Sequence, residues 1–172
     1  MIFYPGAKVD EVAYAELMHS LAAEGLDCFL VRMPLHMAFL GKGTAGTIQS
    51  EYDYPHWYMG GHSLGGAIGA IYCAEHSADF DGVALLAAFA SKKLPDTMSL
   101  VSIVGSNDQV LNWDSYRGNQ VNNPQDAQEF VIEGGNHCQF GDYGMQKGDG
   151  TAQISREAQL DQTVPAIMEM IE

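Results

Sequence analysis

A serine with glycine two residues before it and two residues after it, set where an apolar run turns straight into a helical one, is placed for nucleophilic attack. Residues 61–66 read Gly-His-Ser-Leu-Gly-Gly, between a strand-like run, Trp57 to Met59, and a helix-like run, Ala67 to Glu75. So sharp a turn forces its central residue into strained dihedrals and leaves no room for side chains at minus two and plus two, the places of Gly61 and Gly65. Such a nucleophile elbow aims Ser63 Oγ out of the sheet. It also puts the Leu64 amide at a helix N-terminus, where an unpaired N–H and the helix dipole can stabilise an oxyanion. A serine needs a base, and the base an orienting acid, following in the order serine, acid, histidine at the ends of later strands. The run Met98 to Gly105 reads as a buried parallel strand and ends in Ser106-Asn107-Asp108. A second run, Glu129 to Glu133, ends in Gly134-Gly135-Asn136-His137. Asp108 is therefore the candidate acid, with Asp114 and Glu133 as substitutes, and His137 the candidate base.

The other reactive side chains read differently. Cys138 is adjacent to the histidine, so its side chain points elsewhere and is expected in the wall or core. His62 is the variable residue inside the elbow, His76 lies near a helix end, and His19, His36 and His56 lack a glycine-rich strand-end loop. No metal site is expected.

Three groups on three strand ends can meet only if the strands share a sheet and a direction, because the carboxyl ends of parallel strands form one edge. The chain alternates strand and helix throughout, which predicts an α/β fold: a doubly wound, mostly parallel sheet of about six strands in a single domain over residues 1–172. Ile2 to Tyr4 is a short strand. Glu11 to Glu24 is helical, with Gly25 as its terminator, and Cys28 to Met33 is the next strand. Pro34 to Gln49, apolar at Leu35, Met37, Phe39 and Leu40 and broken by Gly41, Gly43 and Gly46, carries no clear periodicity. Gly82 to Phe89 is a strand, Ser91 to Thr97 a short polar connection, and a C-terminal helix starts near the N-cap Ser155, turning Leu160, Val164, Ile167, Met168 and Ile171 to the sheet.

Four segments together, Phe3-Tyr4-Pro5-Gly6-Ala7-Lys8, Gly61-His62-Ser63-Leu64-Gly65-Gly66, Gly105-Ser106-Asn107-Asp108 and Gly134-Gly135-Asn136-His137, resemble the α/β-hydrolase superfamily, close to its small, lidless, dienelactone-hydrolase-like members. The resemblance covers nearly the whole chain. It implies Ser63 as nucleophile, His137 as general base, Asp108 as the acid that orients it, and an oxyanion hole made by the Leu64 amide and a second amide in the Pro5 to Lys8 loop. That second donor is Ala7 or Lys8. Dienelactone hydrolases proper carry a cysteine nucleophile where this chain has serine. The usual lid insertion has no room in the few residues between Phe89 and Met98, so an open site is expected. The antiparallel strands that normally precede the first one have no counterpart, as in a truncated or minimal version. That leaves Cys28 to Met33 at the sheet edge, where unpaired amides invite a homodimer. The Phe140 to Gly150 stretch after the base is either a substrate loop or a solvated connection.

Composition bounds the partners. Twenty-two acidic against eight basic side chains give a net charge of −14, which repels nucleic acid and anionic lipid and disfavours polyanionic substrates. No apolar stretch is long enough for a membrane span, and Met1-Ile2-Phe3-Tyr4 opens no secretory segment. Three cysteines, Cys28, Cys73 and Cys138, form no C-x-x-C pair and fit a reduced, cytoplasmic setting. The expected activity is hydrolysis of carboxylic ester or thioester bonds in small molecules through a Ser-His-Asp triad and an acyl-enzyme, without a cofactor. Acyl transfer or short-peptide hydrolysis would use the same residues, and a non-catalytic scaffold binding a small ligand would use none of them chemically.

Overall fold

Short apolar strands separated by helices leave the chain one economical arrangement, a parallel sheet with helices on both faces. The computed structural model describes residues 1–172. Its six strands are β1 (Ile2–Tyr4), β2 (Phe29–Leu30), β3 (Tyr58–His62), β4 (Gly82–Leu86), β5 (Ser99–Gly105) and β6 (Gln128–Ile132), all parallel, in the order β2-β1-β3-β4-β5-β6. The register sets Tyr4 beside Gly61 and His62 beside Leu86, so the carboxyl ends of β1, β3 and β4 lie level. Successive residues alternate between two cores. Met1, Phe3, Leu86, Val101 and Ile103 pack against α1 (Ala15–Ala23) and α5 (Arg156–Ile171). Ile2, Tyr4, Met59, Leu85 and Leu100 pack against α3 (Leu64–Glu75) and Ala45 of α2 (Thr44–Glu51).

Several boundaries differ from those the sequence suggests, each for a tertiary reason. The strand expected over Cys28 to Met33 is regular only at Phe29 and Leu30, because β1 offers it just three residues to pair with; Val31 still donates to the Phe3 carbonyl before the chain leaves the sheet. It is indeed the edge strand. The strand before the elbow runs on through Gly60, Gly61 and His62, since β1 and β4 flank it and hold it extended despite its glycines. Residues 34–51 form two 3₁₀ turns and α2, anchored by the buried Tyr4 hydroxyl, which accepts from the Ala45 amide and donates to the Lys42 carbonyl. A further helix, α4 (Trp113–Gly118), is capped by Asn112 Oδ1, which accepts from the Ser115 amide at 2.8 Å. Ser155 caps α5 in the same way, accepting from the Ala158 amide. No lid is inserted between β4 and β5. No helix is long and apolar enough to cross a membrane.

Candidate active site

Five loops, at the carboxyl ends of β1, β3, β4, β5 and β6, build the site. Ser63 follows β3 directly and sits at φ 52°, ψ −122°, outside the regions a non-glycine residue ordinarily adopts. The surroundings hold it there. Its amide donates to the Leu86 carbonyl at 2.8 Å, and the Ala67 amide, one turn into α3, donates to its carbonyl at 3.0 Å. The glycines of the elbow are required by contact. A Cβ on Gly61 would meet the Gly66 amide nitrogen at 2.6 Å, and one on Gly65 would run into the backbone carbonyl oxygens of Tyr4 and Pro5. Leu64 opens α3, whose first amides have no partner within the helix.

Asp108 and His137 meet. His137 Nδ1 lies 2.7 Å from Asp108 Oδ2, with both side chains almost wholly buried. The other carboxylate oxygen, Oδ1, accepts from the amides of Val110 and Leu111, each at 2.8 Å. A carboxylate that takes those two bonds can only be an acceptor toward the ring, so Nδ1 carries the imidazole proton and Nε2 presents its lone pair. Asp114 and Glu133, the substitute acids, are exposed and make no bond to His137. The loop that carries the histidine is itself fastened: Gln159 of α5 accepts from the Asn136 amide and donates to the Asn136 carbonyl.

Ser63 and His137 open onto the same cavity of about 250 Å³, walled by Leu64, Ala67, Ala87, Ala88, Phe89, Val110, Leu111 and Asn112. The walls are mostly apolar and several are small. A larger hollow of about 610 Å³ lies at the amino ends of the strands, beside Trp57, Tyr72 and Asp81. Its Ser50 hydroxyl is spent on the Thr47 carbonyl, and its exposed His76 and Asp79 stand 3.7 Å apart, so size does not mark the chemistry.

In the loop after β1 the amide of Lys8, held at φ 61°, donates to the His36 carbonyl at 2.8 Å and is thereby occupied. The amide of Ala7 has no such partner. Between the two donors proposed from the sequence, the geometry leaves Ala7 free. The stretch Phe140 to Gly150 folds back on the structure beside the base without lining the cavity: Phe140 is buried, the Asp142 amide bonds the Ala13 carbonyl, and Asp149 accepts from the Cys138 and Gln109 amides. Cys138 is buried and its thiol is pushed up by desolvation. No group of three or more His, Cys, Asp or Glu side chains is arranged to hold a metal ion.

Sequence reasoning passed over two residues. His62, the variable position of the elbow, is buried against His137, with ring centroids 4.5 Å apart, and Tyr14 places its hydroxyl 2.7 Å from His62 Nδ1. Burial, and then the neighbouring His137, hold the His62 imidazole well below its ordinary pKa of 6.5, so it is neutral. The adjacency of His62 to Ser63 was a usable signal. Nothing in the periodicity of residues 11–24 distinguishes Tyr14 from an ordinary core aromatic.

The family model that matches this chain, over residues 1–161, is that of the alpha/beta hydrolase family. The chain belongs to the alpha/beta hydrolase family. Solved structures agree on the fold of this alpha/beta hydrolase. A pyrethroid hydrolase from Sphingobium faniae JZ-2 superposes with a TM-score of 0.71 at 13% identity, covering 98% of this chain and 95% of that one. A methylesterase from Arabidopsis gives 0.69 at 13% identity, with 98% of each chain covered. Est1E from Butyrivibrio proteoclasticus, solved with ferulic acid, gives 0.70 at 11% identity, covering 99% of this chain and 88% of that one. No curated protein matches by sequence.

Proposed function

We propose that this alpha/beta hydrolase is a serine esterase of small substrates. Ser63 attacks the ester carbonyl, His137 Nε2 takes the hydroxyl proton and later gives it to the leaving alcohol, and Asp108 holds the imidazole in the required tautomer and stabilises its cation. The amides of Leu64 and Ala7 receive the negative charge that develops on the carbonyl oxygen. Water activated by His137 then hydrolyses the acyl-enzyme. The observation that carries this reading is the strained Ser63 sharing a cavity with a histidine whose far nitrogen is tied to a buried carboxylate. A scaffold that only bound ligands would have no need of that strain. The fold's occurrence in a methylesterase and in a ferulic-acid-binding protein is in keeping with esters as substrates.

Cavity size narrows the acyl group. About 250 Å³ of mostly apolar space, with no lid to extend it, suits short chains. Acetyl to hexanoyl p-nitrophenyl esters should therefore be turned over at least about tenfold faster than palmitoyl, on the scale of a few methylenes' worth of binding. A rate climbing steadily to long chains would refute the short-acyl assignment. Stoichiometric labelling by a fluorophosphonate, lost in Ser63→Ala, tests the nucleophile itself.

A further inference from the structure

The two amides assigned to the oxyanion hole come from loops that are far apart in sequence, and a hydrolytic oxyanion hole works only if its donors are held at a fixed separation. One hydroxyl spans the gap. Tyr14 Oη accepts from the Gly6 amide at 3.1 Å and lies 2.7 Å from His62 Nδ1. Gly6 is the residue before Ala7, and His62 is the residue before Ser63, with Leu64 next. The hydroxyl thus ties the backbone behind one donor to the side chain behind the other.

Proton bookkeeping fixes the direction of the bridge. The Gly6 amide can only donate, so the Tyr14 oxygen accepts there and has its own proton left to give. Its one remaining partner is His62 Nδ1, which must offer a lone pair; the His62 proton then resides on Nε2. That nitrogen is buried, has no side-chain partner, and faces the backbone of His137. Phenylalanine or leucine would fill this buried space without a polar atom, so the two ring nitrogens are there for the contacts they make, with Tyr14 and with the His137 backbone. The ring is also hemmed in, by Tyr14 at 5.7 Å, Phe140 at 5.6 Å and Tyr143 at 6.3 Å between centroids, and it lies against the ring of His137. A Cβ on Gly6 would strike both Tyr14 Oη and His62 Nδ1, so the bridge has no slack.

We infer that Tyr14 and His62 are positioning residues, a hydrogen-bonded spacer that sets the distance between the Ala7 and Leu64 amides and the seat of the His137 ring. The inference rests on the esterase reading given above. Neither side chain touches substrate; both act through the backbone that does.

The test is kinetic, on the full chain, with active sites counted by fluorophosphonate titration so that unfolded protein does not count. Tyr14→Phe and His62→Leu should each lower kcat on a short p-nitrophenyl ester by about 100-fold, the scale of a lost oxyanion donor, while KM moves less than about threefold. Each should weaken a matching trifluoromethyl ketone, which forms a tetrahedral oxyanion on the serine, by the same factor as kcat/KM. Because both remove one bridge, the double variant should be little worse than either alone. His62→Asn is the rescue: its Oδ1 stands two bonds beyond Cβ, as Nδ1 does, and can accept from Tyr14, so it should keep kcat within about fivefold, the loss expected when a hydrogen bond is retained in poorer geometry. Unchanged kcat in both single variants, a loss confined to KM, losses that multiply, or His62→Asn as poor as His62→Leu would overturn the inference and leave the esterase reading standing. A wild-type chain that neither labels nor turns over any ester would overturn both.

Discussion

The base side and the oxyanion side of the proposed site are built on opposite plans. On the base side the supporting polar groups are answered: Asp108 takes two amides and an imidazole, and the Asn136 backbone before His137 is gripped at both its amide and its carbonyl by Gln159. On the oxyanion side, order comes from strain and single contacts. Lys8, Leu35 and His36 all sit at positive φ, one bond from Lys8 to the His36 carbonyl joins them, and beyond the β1–β3 pairing the side-chain bridge to the elbow is that of Tyr14. The difference suits the two tasks. A base must keep one tautomer through two proton transfers, which rewards redundancy. An oxyanion donor must be left without a partner until charge develops, which forbids it.

Breaking the base side at its centre should have the largest effect. Ser63→Ala and His137→Ala should remove nearly all turnover, and Asp108→Asn should cost about 10⁴ in kcat, since an amide at that position leaves the imidazole in the wrong tautomer. Steady-state rates on a short ester check this, and Ser63→Ala retaining more than about a tenth of wild-type rate would refute the assignment.

One shell out, the redundancy itself can be tested. Gln159→Leu keeps the volume but orphans the buried Asn136 amide and carbonyl, two groups at about 1 to 3 kcal/mol each. Urea unfolding should show a loss of about 2 to 4 kcal/mol, and kcat should fall because the His137 loop loses its anchor. Full stability in that variant would mean that the loop is held by something other than α5.

These contrasts mark what could be read from the sequence. The elbow, the Asp108 turn and the glycine-rich loop before His137 are local patterns, so their type and place are visible along the chain, as is the alternation that builds the sheet. Tyr14 is not visible, and His62 shows only its adjacency to Ser63, because the meaning of both lies in a contact across 48 residues between a helix-start aromatic and a position any residue can fill. The helix at Thr44–Glu51 hides for a related reason. Its glycine and β-branched threonines argue against it locally, and what secures it is the Tyr4 hydroxyl from another strand. Strand ends are illegible wherever a neighbour, not the strand's own residues, decides the length.

His62 gives the oxyanion side a pH signature. Its folded pKa lies well below the ordinary 6.5, driven first by burial and then by His137. The groups facing it are His137, Tyr14 and Tyr143, none of them an anion. Above pH 6.5 both folded and unfolded states hold the ring neutral, and nothing is lost. Below it the unfolded chain takes up a proton that the folded chain refuses, so folded stability falls as pH falls, by up to about 1.4 kcal/mol per pH unit for this one group. Unfolding measured at pH 6.5 and at about pH 5.5 should show a loss from this group of about 1 kcal/mol, since half of the unfolded rings already carry the proton at pH 6.5, and the total loss should be smaller by about that amount in His62→Asn, which has nothing to titrate. Equal losses in the two proteins would place the proton elsewhere.

The smallest effect expected comes from Lys8, and it separates backbone from side chain on the oxyanion side. The side chain is exposed, without an ion pair or hydrogen bond, while the backbone holds φ 61° and spends its amide on His36. Lys8→Gly keeps that amide and adopts the same φ without the Cβ clash, a relief of about 1 to 2 kcal/mol, but gives the unfolded chain more freedom, worth about 0.5 to 1 kcal/mol in the other direction. The two nearly cancel. Stability should rise by no more than about 1 kcal/mol, and kcat should change less than about threefold, because no part of the removed side chain reaches the cavity. If kcat instead fell by about tenfold or more with stability intact, the ammonium would have to act on the substrate, and the oxyanion side would hold a charged donor that its resting geometry conceals.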